Sequence, residues 1–183
     1  MRNAITIIFL CFLTAAYAQN DKNDKNEEPE VDYSDRVQTI DSTIETLYAV
    51  ISGEKDAERN WKLFKYLFQP GAKLIPSGKN SEGLHLVNYL SPNDYIKKSE
   101  KWLMKKGFFE KEIHRTTNTF GNIAHVFSTY EAYNSHTDET PFMRGINSIQ
   151  LLNDEQRWWI VNIYWTQETE YTPIPKVYLP KKH

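Results

Sequence analysis

The chain has 183 residues, 22 Lys+Arg against 24 Asp+Glu, a formal charge of −2 and 14% aromatic side chains. Such a balance offers no positive surface for gripping phosphates, so no nucleic-acid partner is expected. The length suits one domain, with enough aromatic area to build a sizeable core.

The N-terminus reads as an address. Arg2 gives a short positive region, Ile5–Leu13 is an apolar run, and Ala16-Tyr17-Ala18 presents small residues where a signal peptidase reads. The run is well short of the ~20 residues a membrane span needs. Residues 1–18 are therefore expected to be a signal peptide, with Gln19 starting a secreted or periplasmic protein that has no membrane partner after cleavage. Cleavage would remove Cys11, the single cysteine, and with it disulfides and thiol chemistry. Residues 19–33 repeat Asp-Lys-Asn and hold nothing apolar before Val31, which predicts a disordered linker.

The domain proper is placed at 34–168. Val37, Ile40, Ile44, Leu47 and Ile51 recur at helical spacing between a cap at Ser34 and a stop at Gly53. A second helix is predicted over 57–68, capped by Asp56 and ended by Pro70-Gly71. Short strand-like pieces follow at 72–75 and 84–89. Ser91-Pro92 opens a third helix, which Gly107 closes. After Gly107 the period changes to two, predicting strands at about 108–120, 122–134, 141–152 and 157–167. Helices followed by strands indicate an α+β fold, with three N-terminal helices packed in a strongly bent antiparallel β-sheet. Residues 169–183, with Pro173, Pro175 and Pro180, read as an extended tail.

Two hairpins set the faces of the sheet. A tight turn at Gly121-Asn122 makes Arg115 oppose Ser128 and Ile113 oppose Tyr130, with Glu112 and His114 on the other face. A turn at Asp154-Glu155 makes Leu151 oppose Trp158, Ile149 oppose Ile160, Asn147 oppose Asn162 and Gly145 oppose Tyr164. Phe142, Arg144, Ile146, Trp159, Val161, Ile163 and Trp165 then point outwards. A slip of one residue would exchange the faces. So apolar an outer face predicts a homodimer packed sheet on sheet, or cover by the PIPKVYL tail.

Three stretches, GFFEKEIHRTTNTFGNIAHVFSTYEAY (107–133), RGINSIQLLNDEQRWWIVNIYW (144–165) and PIPKVYL (173–179), resemble a secreted bacterial branch of the nuclear-transport-factor-2-like superfamily. That superfamily includes SnoaL-like polyketide cyclases and ketosteroid isomerases. The likeness covers roughly residues 36–179. It implies a cone, a curved sheet around helices with an interior pocket, and often a dimer. It does not imply one chemistry.

No His/carboxylate pattern suits a metal and no glycine-rich phosphate cradle occurs, so neither metal nor cofactor is expected. Ser128 and Ser148 lie in strands without a nucleophile elbow. The inward face in this register carries Arg115, Ser128, Tyr130, Asn147, Asn162 and Tyr164, with no carboxyl. These six are the candidate pocket; its catalytic residues stay unassigned. Arg115, the only charge among them, favours a small, partly apolar ligand with an anionic or carbonyl group. The leading expectation is a secreted small-molecule-binding domain. The alternative is a lyase- or isomerase-type acid–base enzyme using Tyr130, Arg115 and an inward carboxyl of raised pKa. A third reading is an interaction domain with a vestigial pocket, which a cavity under about 300 Å³ would favour.

Overall fold

The computed structural model describes residues 31–181. The expected signal peptide, and the expected linker up to residue 30, lie outside the described residues. A 3-10 turn over Ser34–Val37 leads into α1 (Ile40–Ile51). Thr39, not Ser34, caps α1: its hydroxyl accepts the Ser42 N–H while the Ser42 side chain accepts the Thr39 N–H. Ile44, Leu47, Tyr48 and Ile51 form its buried stripe. The second helix is shorter than expected. Asp56 sits in a turn at φ 62°, and Asn60 caps α2 (Trp61–Tyr66). Pro70 and Gly71 already belong to β1 (Phe68–Lys79), which pairs with the short β2 (His85–Val87).

α3 (Pro92–Lys106) begins with a Ser91/Asp94 capping box and Pro92 in its first turn. It ends at Gly107, φ 76°, where a Cβ would lie 2.5 Å from the Asn134 carbonyl oxygen. β3 (Phe109–Phe120), β4 (Ile123–Tyr133), β5 (Met143–Asn153) and β6 (Trp158–Gln167) follow close to the predicted limits. The six strands form one sheet in the order β2-β1-β6-β5-β4-β3. It is mixed, not purely antiparallel, because β1 runs parallel to β6. Two strands also precede α3, so helices and strands interleave. The core joins α1, Phe64, Leu103 and Phe108 to an inner sheet face of Ala124, Val126, Tyr130, Ile149, Leu151, Ile160 and Ile163.

Two bulges decide which side chains reach that inner face. The first hairpin keeps the predicted register, with Phe120 opposite Ile123 and Arg115 opposite Ser128. Between Glu112 and His114 the register shifts, and Tyr130 faces Glu112 instead of Ile113. One extra residue reverses the parity of everything beyond it. Glu112 and Glu110 thereby turn inwards, which corrects the outward placement of Glu112. The second hairpin closes with Asn153 opposite Trp158 and a four-residue loop, not a two-residue turn. Asn153 and Asp154 side chains accept the loop N–H groups of Glu155, Gln156 and Arg157, and Glu155 takes φ 75°. A further shift after Leu151 pairs Gln150 with Asn162 and Asn147 with Trp165. Ile163 is buried and Trp165 lines the interior, while Asn162 and Tyr164 face outwards; all four reverse the expected placement.

The tail lies across the outer face. Thr129 donates to the Tyr178 carbonyl at 2.7 Å, the Tyr178 ring sits 4.9 Å from Phe127, and Ile174 is buried.

Candidate functional site

The inner face and the helices enclose a cavity of about 200 Å³. Six aromatic residues (Phe64, Tyr95, Trp102, Phe108, Tyr130 and Trp165) line it with Leu47, Leu103, Met143 and Ile163. Its polar wall is Glu110, Asn147, Ser99, Gln167 and the Tyr95 and Tyr130 phenols, with no lysine, arginine or histidine among the described residues. Trp102 and Gln167 are the exposed members, at the open side. A cavity of about 150 Å³ accepts benzene, so the enclosed part suits about one substituted ring. It falls below the range typical for drug-sized ligands.

Glu110 dominates the chemistry. Asn147 Nδ2 donates to its Oε1 at 3.1 Å, the one hydrogen bond its carboxyl receives among the described residues. Burial raises its pKa to about 7, against a smaller opposing effect from the Asn147 hydrogen bond. The Tyr48, Tyr95 and Tyr130 phenols are all pushed up, first by burial and then by the Glu110 charge. All three remain protonated donors near neutral pH. Tyr130 needs the bare backbone of Gly145 opposite it, since a Cβ there would sit 2.5 Å from the Tyr130 hydroxyl.

Glu112, two residues along the strand, is treated differently. Arg115 Nε lies 3.0 Å from both Glu112 oxygens, and the guanidinium also binds Asp41 on α1. Ser128 donates to Glu112 and lies 2.7 Å from the Tyr48 hydroxyl, which accepts from Asn147 at 3.1 Å.

Of the six predicted pocket residues, Tyr130 and Asn147 line the cavity. Ser128 is fully buried behind it. Arg115 does not line it; its charge is taken up by Glu112 and Asp41, not by Tyr130. Asn162 bonds Gln150 on the outer face, and Tyr164 is 46% exposed there. Sequence reasoning missed Glu110, Tyr95 and Trp165. The last had a signal: placing Ile163 and Trp165 outwards and Asn162 and Tyr164 inwards was the less hydrophobic choice. Nothing in the alternation of β3 marks its bulge.

No protein-family model and no curated protein matches the chain. Solved structures do match. A protein of unknown function with a cystatin-like fold from Nostoc punctiforme superposes with a TM-score of 0.54 at 8% identity, over 72% of this chain and 90% of that one. A protein assigned as a calcium/calmodulin dependent protein kinase II association domain from Xanthomonas campestris gives 0.53 at 16%, over 72% and 86%. A protein assigned as a scytalone dehydratase from Novosphingobium aromaticivorans gives 0.51 at 12%, over 71% and 82%. At these identities the likeness is one of fold alone.

Proposed function

We propose that the protein is a lyase- or isomerase-type acid–base enzyme acting on a small, uncharged, partly apolar molecule held inside the cone, with Glu110 moving the proton. The observation that carries this reading is the Glu110 carboxyl itself. It faces an aromatic cavity, receives one hydrogen bond among the described residues, and is pushed up by burial to about 7, where a general base and its conjugate acid would both be populated. In the proposed step, carboxylate takes a proton from a carbon beside a ligand carbonyl. The Tyr95 or Tyr130 hydroxyl hydrogen-bonds to the oxygen that gains charge. Returning the proton to another carbon gives an isomerase; delivering it to a departing hydroxyl gives a lyase. The anionic ligand suggested by Arg115 drops out, because that charge is already paired and the cavity wall carries a carboxyl.

The test is proton exchange in D₂O with a small cyclic ketone such as 2-cyclohexenone, followed by NMR. Wild-type protein is expected to exchange ring protons faster than Glu110→Gln. Equal rates with detectable binding would favour a plain carrier. The small cavity favours a second reading, an interaction domain with a vestigial pocket; absence of both binding and exchange would support it. Secretion and a homodimer belong to the same proposal. The dimer face would be the outer surface the tail leaves free, around Ile123, Val161 and Tyr164. An intact mass starting at Gln19 tests the first, and sedimentation at micromolar concentration the second.

A further inference from the structure

Seven side chains from four elements form one hydrogen-bonded chain running from the surface to the cavity: Asp41, Arg115, Glu112, Ser128, Tyr48, Asn147 and Glu110. Its direction follows from donor chemistry. Arg115 only donates, and its fork occupies both Glu112 oxygens. An ionised Glu112 only accepts, so the Ser128 proton goes to it. The Ser128 oxygen is then open to the Tyr48 proton. The Tyr48 oxygen is in turn open to one Asn147 N–H, and the second N–H goes to Glu110. Every donor has one place to point.

We propose that Arg115, Glu112, Ser128 and Tyr48 are positioning residues whose one-way hydrogen-bond chain locks the Asn147 amide with its N–H groups towards Glu110 and so sets the proton affinity of that carboxyl. The proposal rests on the reading of Glu110 as the proton-transfer group. Hydrogen bonds in such a chain polarise one another, so a change at one end is felt at the other. The groups facing Glu110 are Tyr48 from α1, Tyr95 from α3, Tyr130 from β4 and Asn147 from β5. None carries a positive charge, so among the described residues Asn147 is the one that stabilises its ionised form.

Glu112→Gln separates this device from ordinary electrostatics by the sign of its effect. The Arg115 fork selects the amide oxygen of the new side chain, which turns its NH₂ towards Ser128. Ser128 then accepts, its proton turns to Tyr48, and Tyr48 donates to Asn147, whose amide flips its oxygen towards Glu110. A carbonyl facing Glu110 favours the protonated acid, so the midpoint should rise by about one pH unit. Plain Coulomb interaction predicts a fall, because a nearby negative charge has been removed. Tyr48→Phe breaks the chain in the middle without changing the ring, and should also raise the midpoint.

The readout is the Glu110 side-chain carboxyl followed by ¹³C NMR against pH in the folded full chain, assigned by its loss in Glu110→Gln. A rise in both variants supports the proposal. A fall or no change in Glu112→Gln overturns it, as does an unchanged midpoint in folded Tyr48→Phe. If Glu112→Gln does not fold, Tyr48→Phe alone decides. A wild-type midpoint in the ordinary carboxylate range instead defeats the reading of Glu110 as a proton carrier. The two failures are therefore distinct.

Discussion

Arg59 and Glu110 are both charged groups withdrawn from water, and the fold treats them in opposite ways. Arg59 is 6% exposed, and its guanidinium donates to the carbonyls of Ile51, Gly53, Glu54, Ala57 and Leu103. It closes the C-terminal end of α1, holds the 53–59 loop and reaches α3. Burial lowers its pKa, opposed by the Glu54 charge, yet each donor direction has an acceptor. Glu110 has one partner and an open cavity in front of it. A buried charge that is saturated acts as a staple; one left short of partners costs stability and keeps its reactivity.

The sharpest way to break that contrast is Arg59→Met. It strips five carbonyls of a donor at once, and should destabilise by about 3 kcal/mol or more in urea denaturation. A loss within about 0.5 kcal/mol would mean that Arg59 is no staple.

Glu110→Gln should act in the opposite sense. The folded state raises this carboxyl from its ordinary 4.5 to about 7. Its contribution is intact below 4.5 and is lost as pH rises through 7, because the folded protein disfavours the charge. The variant should therefore match the wild type at pH 4 and exceed it above pH 7, by up to about 3 kcal/mol. Denaturation at the two pH values checks this. A variant less stable at pH 8 would remove the functional reading of the strain.

Gly145→Ala sharpens the picture at the cavity wall. Its Cβ would meet the Thr166 carbonyl oxygen and the Tyr130 hydroxyl. A cost of about 1–3 kcal/mol is expected, together with a displaced Tyr130 signal in NMR. The smallest effect belongs to Asn162→Ala. This side chain lies on the outer face, so stability should stay within about 0.5 kcal/mol and Glu110 should titrate unchanged.

Much of the fold was legible because periodicity and caps are local. Ser91-Pro92, Gly107 and the apolar spacing of Ile44, Leu47 and Ile51 mark elements without reference to anything distant. The inner face of β4 and β5 was legible too, since Val126, Ser128, Tyr130, Asn147 and Ile149 alternate without interruption. The site was legible only in part. The bulge in β3 leaves no mark on that strand's alternation, whereas β6 carried one in the apolar Ile163 and Trp165; each bulge reverses the parity of the chain beyond. One brought Glu110 and Glu112 inside; the other carried Asn162 and Tyr164 out. Arg115 was read as a ligand group because its partner Glu112 had been placed on the wrong face. The parallel pairing of β1 with β6 depends on contacts about ninety residues apart, which no local pattern encodes.

The central claim is that the Glu110 carboxyl is half-ionised near neutral pH inside an aromatic cavity. Its ¹³C titration in the unliganded wild-type protein tests that most directly. A midpoint close to 7 is the expected result. A midpoint in the ordinary carboxylate range near 4.5 would contradict it, and the assignment of proton transfer to this residue would fall with it.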